Sequence, residues 1–417
     1  MIAAATLEIT PNRALPLAGY AGRGGESQSI HDRLEANILL MDQVALIQID
    51  TLFSSEALEQ RIRHYIGGNL DLLLVASHTH FAPSLDPTKP ALGECDLKFL
   101  DEVAEKIGKR INEEHSFVSG NIRLGIGSAS DLSINRRSKR LHIARKFPFF
   151  FKDIVIQPNR SGPADPAVHT FVVEHNRNPV AVIWHYACHP VGFPQINDVS
   201  ADFIGVVRQR IRHHFHKPDL PVIFLQGFSG DVTPNVINSH PHLKERIKYP
   251  HGELFGNFTM ESFNKWSNAL GEVVVNTFKT GTPLPTSSVF CQSSIDISSI
   301  LPHENGKLKL AALSFGSDLN IIFAGAEVVQ SYIKMIQSIF NGITLGVGYT
   351  GPVFGYLPTD KHVREGGYES EGFIEPFGLR GSFSSGIEEL VKNKFENMAR
   401  DLSELKHQIK SPHKEIR

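Results

Sequence analysis

The chain has 417 residues, of which 41% are hydrophobic and 21% charged, the make-up of an ordinary globular protein with room for two or three average domains or one large α/β unit. Its formal net charge of −2 gives no electrostatic case for nucleic acid or an anionic membrane as a partner. The three cysteines, Cys95, Cys188 and Cys291, are far apart and lack CxxC spacing, which argues against a disulfide framework or zinc ribbon and suits a reducing compartment.

Met1 to Pro11 lacks the basic start and long apolar stretch of a secretion signal, so a cytoplasmic location is expected. No apolar run reaches the roughly 18 residues of a membrane span. Residues 37–50 read as two strands around a tight turn at Asp42-Gln43, and residues 70–77 as a buried strand. A helix follows from Asp96, with Leu97, Leu100, Val103, Ala104, Ile107 and Ile111 on one face. Residues 121–127 alternate like a strand. Residues 129–165 are rich in Arg, Lys, Phe and Pro and read as a long active-site loop. Residues 169–174 and 180–186 form a hairpin across Asn176-Arg177-Asn178.

A helix is expected from about Ala201, with Phe203, Val207 and Ile211 inward and the basic run Arg208 to His214 as its solvated face. The strand 222–225 leads into Gly227-Phe228-Ser229-Gly230. Residues 236–258 read as a polar excursion, followed by a helix carrying Phe263, Trp266, Leu270, Val273 and Phe278. Two strands at 289–300 and 307–315 come next. A short strand at 320–324 then enters a helix bearing Val328, Tyr332, Ile336 and Phe340. A final helix spans about 386–405, and 407–417 reads as a frayed tail. No linker or repeat divides the chain. The expected architecture is α/β (mixed α+β): one large domain over residues 1–417, with mixed β-sheets flanked by helices.

The densest chemistry is His78-Thr79-His80, at the end of the apolar run Leu72 to Ala76. Residues i and i+2 of a strand share a face, so the two imidazoles should project together. His189 also follows a strand, which makes His78 and His189 the best nitrogen ligands for a catalytic zinc. His185 reads as a packing residue or one that supports the ligands from behind, and Cys188 as a buried inert thiol. Spacing leaves the acidic ligand open among Asp50, Asp86, Asp202, Asp231 and Glu327. Gly230-Asp231-Val232-Thr233-Pro234-Asn235 follows a glycine-rich turn. It presents the Thr233 hydroxyl where an oxyanion could form, with Asp231 and Asn235 as candidate substrate-binding residues.

Taken in order, the segments resemble the catalytic N-terminal domain of the neutral, non-lysosomal ceramidases. Ile9-Thr10-Pro11 with Ala18-Gly19-Tyr20 matches the family's opening strand and turn, and Ser77-His78-Thr79-His80-Phe81-Ala82-Pro83 its Thr-His-Thr-His-x-x-Pro element. Ile134-Asn135-Arg136-Arg137 is similar to Asn-Arg-Ser. His189-Pro190 and Ser200-Ala201-Asp202-Phe203-Ile204-Gly205 follow in place. Then come Gly230 to Asn235 with Thr233 in the Ser position, Ala326-Glu327, Tyr356-Leu357-Pro358-Thr359 and Tyr368-Glu369-Ser370.

The resemblance implies one zinc per chain held by His78, His189, Glu327 and Tyr356. It implies that His80 handles protons, that Arg136 steadies the substrate or its oxyanion, and that Thr233 is a nucleophile or hydrogen-bonding partner. Two departures stand out: the methyl of Thr233, and Pro190-Val191-Gly192 where the family has Gly-Thr-Ser. The family's C-terminal Ig-like domain is not matched. The expected activity is zinc-dependent cleavage of an N-acyl amide, on a small-molecule or lipid substrate. The alternatives are an esterase or deacetylase for a small or sugar-linked acyl group, and a non-catalytic binder of an acylated ligand.

Overall fold

The computed structural model describes residues 1–114, 116–143 and 150–410. Three parallel strand pairs organise it, each closed by a crossover helix. Val44–Ile49 pairs with Asp71–Ala76 across the helix Glu56–Tyr65. Asn178–Tyr186 pairs with Val222–Gln226 across Phe203–Phe215. Leu319–Ala324 pairs with Ile343–Val347 across Tyr332–Ile339. Each pair lies in its own sheet, extended by antiparallel strands to four, five and four members respectively. The expected mixed architecture of sheets flanked by helices is what the chain adopts.

The sheets' inner faces meet in one cluster that includes Leu46, Val75, Phe171, Ile183, Leu225, Phe323 and Val347. Helices cover the outer faces. Leu97–Glu113 starts where the Asp96 carboxylate accepts from the Phe99 N–H at 2.7 Å, an N-cap. It buries Phe99, Leu100, Val103, Ala104 and Ile107 against Ile38, Ile47 and Leu74. A side chain of that size contributes roughly 1.5–3 kcal/mol when fully buried.

The basic run on the helix Phe203–Phe215 is not all solvated. Arg208 and Arg212 are buried. Arg208 donates to Asp50 at 2.7 Å, and Arg212 reaches both oxygens of Glu35 at 2.6 and 2.9 Å. The buried acids lie on another element, so the sequence around Arg208 carries no sign of them. Nor is 129–165 a loop: Ser133–Ile143 and Phe150–Asn159 pair antiparallel, with 144–149 outside the described residues. Two of its arginines are tied down. Arg137 donates to Glu369, and Arg140 to the carbonyls of Pro158 and Glu253. Val328 belongs not to a helix but to a two-residue strand, Glu327–Val328, and the helix starts only at Tyr332. At the C-terminus the helix Ile387–Lys410 overruns the expected tail, whose remainder, 411–417, lies outside the described residues.

All three parallel pairs aim their C-terminal ends at one place. His78 lies just beyond Ala76, His189 beyond Tyr186, the Ser229 to Thr233 segment beyond Gln226, and Glu327 beyond Ala324. Open α/β sheets present ligands at that end of their strands. Among the described residues, no helix is long and apolar enough to cross a membrane.

Candidate active site

His78 and His80 do converge, but not through strand alternation. The strand ends at Ala76, and His78 takes a left-handed conformation with φ 64°, rare for a non-glycine residue. The two Nε2 atoms are 3.4 Å apart. His78 Nδ1 donates to the Leu52 carbonyl at 3.1 Å, and His189 Nδ1 to the Ser229 carbonyl at 2.7 Å. Those bonds place the ring hydrogens outward and leave both Nε2 lone pairs facing each other at 3.2 Å. Glu327 Oε2 lies 3.4 Å from His78 Nε2 and 3.2 Å from His189 Nε2.

Three acceptor atoms pointed at one another repel unless a cation lies between them. Ligand atoms at 2.0–2.1 Å from a tetrahedral zinc are about 3.3–3.4 Å apart, which is the spacing these side chains already have. Burial, then Arg136, pushes the His189 pKa down to about 4, which keeps the ring neutral. Burial opposes ionisation of Glu327, but the His78 and His189 rings outweigh it and hold its carboxyl well below the usual range. A neutral imidazole at His189 and an ionised carboxylate at Glu327 are protonation states that suit metal binding.

His80 shares a second grouping. The ligand atoms of His78, His80 and His189 all lie within 4.8 Å of one another. Unlike the other two, His80 has no hydrogen-bond partner at Nδ1 among the described residues. A cradle holds it instead. Gly19, at φ +113°, leaves room for the ring, since a Cβ there would lie 2.5 Å from His80 Cγ. The Tyr20 ring sits 5.0 Å away, and Arg23, stacked on Tyr20, donates to the His80 carbonyl at 2.8 Å. Burial first, then the His78 and His189 rings, lowers the His80 pKa well below its ordinary value.

Tyr356 is the register partner of Glu327 in a two-residue parallel pairing, so both side chains enter the site from one face. Its hydroxyl accepts from Arg136 at 3.0 Å. Arg136 also donates to Glu369 at 2.9 Å, and Glu369 takes a second arginine, Arg137, at 2.7 Å. Burial opposes the Arg136 charge, but Tyr356 and Glu369 outweigh it and hold the guanidinium firmly protonated. Thus Glu369, which sequence reasoning noted without giving it a role, anchors the arginine. Nothing local marks that role, because its partners are more than two hundred residues away.

Thr233 lines the cleft above these groups, while Asp231 and Asn235 do not. Asp231 points into the protein. Its oxygens accept from the Gln330 N–H at 2.7 Å and from Asn135 at 2.8 Å. Asn235 donates to the Asp131 carbonyl and borders a different, smaller pocket. Their geometry is that of loop fasteners rather than of groups facing a substrate. Among the other acids, Asp50 and Asp86 pair with Arg208 and Lys89, and Asp202 accepts from the N–H groups of Gly192 and Phe193. Of the five acidic candidates, Glu327 is the one beside the histidines. His185 is buried against the Gly346 carbonyl, as its packing reading anticipates.

The cleft has a volume of about 630 Å³. Its floor is polar, formed by His80, His189, Arg136, Thr233, Tyr356 and Tyr368. Its walls are apolar, from Ile156, Phe193, Pro194, Val236, Phe255 and Phe258. Among the described residues no Asp, Glu or Lys lines it.

No protein-family model matches the chain, and no curated protein sequence does. Solved structures do. The neutral ceramidase from Pseudomonas aeruginosa superposes with a TM-score of 0.73 at 13% identity, over 96% of this chain and 74% of that one. A ceramidase complexed with C2 gives 0.73 at 14% identity, over 97% and 75%. The chain therefore has the neutral-ceramidase fold, as the ordered motifs anticipate. At such low identity the likeness speaks for the fold alone.

Proposed function

We propose that this protein is a metal-dependent amidohydrolase that removes an apolar acyl group from an amide nitrogen. The observation that carries the reading is the convergence of His78, His189 and Glu327 at tetrahedral ligand spacing, with His189 at the floor of an apolar-walled cleft. Tyr356 completes the set from the strand beside Glu327. Two imidazoles, a carboxylate and a phenol oxygen suit zinc. A zinc ion bound there supplies Lewis acidity and an acidified water. The amidase reading is supported by the fold shared with ceramidases.

The chain's own groups do the rest. His80, kept neutral by its surroundings, takes a proton from the attacking water and returns one to the departing amine. Arg136, held in place by Glu369 and Tyr356, faces the carbonyl oxygen as negative charge develops there. Thr233 offers its hydroxyl to the same oxygen. The apolar walls exclude water and seat the acyl chain, which favours an N-acyl lipid over a sugar-linked acetyl group.

Bound metal in the purified protein, and hydrolysis of N-acyl amides from acetyl to palmitoyl with and without chelator, test this. The expected result is one zinc per chain and chelator-sensitive cleavage that improves with acyl length. A chain that takes up no metal under any condition and cleaves none of these amides is a binder, and the proposal fails.

A further inference from the structure

Tyr349 is fully buried and sits just beyond the strand Ile343–Val347, in the left-handed region at φ 56°. For a bulky aromatic residue that conformation is an outlier that persists only where the surroundings enforce it. Here they do. The Tyr349 carbonyl accepts from the Ala76 N–H at 3.0 Å, and its own N–H donates to the Ala326 carbonyl at 3.1 Å. Those two contacts join the strand leading to His78 and the residue preceding Glu327. The Tyr349 ring stacks on His78 with centroids 4.1 Å apart and meets His189 edge-on at 6.2 Å.

The hydroxyl closes the arrangement. Gln226 Nε2 donates to Ser229 Oγ at 2.6 Å, Ser229 Oγ lies 3.2 Å from the Tyr349 hydroxyl, and that hydroxyl donates to Glu327 Oε2 at 3.4 Å. Every hydrogen in this series can point the same way, so it ends with a donor on the carboxylate oxygen nearest the two histidines. Ser229 acts twice, because its carbonyl also receives His189 Nδ1–H at 2.7 Å.

We infer that Tyr349 is a positioning residue for the metal centre: through its stacked ring and its hydroxyl, relayed from Gln226 and Ser229, it holds His78 and Glu327 in ligand geometry before a cation arrives. The inference rests on the metal-site reading proposed above. Partners of this kind orient the ligands and commonly change metal affinity about 10–100-fold when lost.

The test is zinc affinity, measured by competition with a chromophoric chelator, in wild type, Tyr349→Phe and Ser229→Ala, with thermal unfolding of the metal-free proteins alongside. Tyr349→Phe keeps the ring and removes the hydroxyl, so zinc should bind about tenfold or more weaker while metal-free unfolding stays close to wild type. Ser229→Ala removes the relay and should weaken zinc in the same direction by less. If wild type binds zinc and both variants bind it equally well, the inference is overturned and the metal centre stands. If wild type itself binds none, the metal-centre reading is what fails. Should Tyr349→Phe not fold, an unchanged zinc affinity in Ser229→Ala still overturns the relay.

Discussion

Glu327 and Tyr356 are side-by-side partners in a parallel pairing only two residues long. The pairing continues in the Val329 N–H, which donates to the Leu357 carbonyl at 3.3 Å, and is backed by the Glu327 N–H on the Gly355 carbonyl at 2.9 Å. So short a ladder has little stability alone. Its register is set by what packs around it: Gly230 fits against it without a Cβ, which would lie 2.8 Å from the Glu327 carbonyl oxygen.

Removing a ligand should remove the metal. Glu327→Gln keeps the volume and deletes the charge, so zinc retention should fall at least as far as in any positioning variant, together with amide hydrolysis. Metal analysis after gel filtration checks this, and full zinc occupancy in the variant would show that His78, His80 and His189 suffice.

Thr233→Ala separates the two roles open to that hydroxyl. The expected loss in kcat is about 10²-fold, the cost of one oxyanion donor. A dead variant, with acyl-enzyme trapped by acid quench in wild type, would instead make Thr233 the nucleophile.

Gly19→Ala should act through His80. The added methyl meets the His80 ring and is strained at φ +113°. Rates should drop toward those of His80→Ala, a loss of about 10²–10⁴-fold for a general acid–base group, with zinc still bound. Steady-state kinetics with metal analysis reads both.

Breaking the buried ion network should unfold rather than inactivate. Arg208→Met leaves Asp50 buried without its guanidinium partner, a loss of about 3–5 kcal/mol. Urea denaturation measures it, and a change below 1 kcal/mol would contradict the network's assigned role.

Acid stability should depend on His169, which is buried beside His185 with ring centroids 5.6 Å apart. Burial first, then His185, lowers its pKa from 6.5 to about 3. The unfolded chain therefore binds the proton more readily. The stability tied to the neutral ring is whole above pH 6.5 and is lost as pH falls toward 3, on the order of a few kcal/mol in all. His169→Leu should flatten stability between pH 4 and 7 relative to wild type. An unchanged slope would assign acid sensitivity elsewhere.

What the sequence determined by itself is whatever depends on neighbours along the chain. The apolar run before His78, the Asp96 cap with its buried helix face, and the turn at Asp42, whose φ is 50°, are all local. So are the residue types and the order of the motifs, which point to the ceramidase fold.

Only the tertiary structure decided which groups meet. It brought Glu327 rather than Asp50, Asp86, Asp202 or Asp231 to the histidines, and turned Asp231 inward. It buried Arg208 and Arg212 on Glu35 and Asp50, remote in sequence, and found Arg136 its anchor in Glu369. It also placed Tyr349 against His78. The physical reason is that charge pairing, ring stacking and metal-ligand spacing act over a few ångströms of space, and sheet pairing sets that distance between residues remote in sequence.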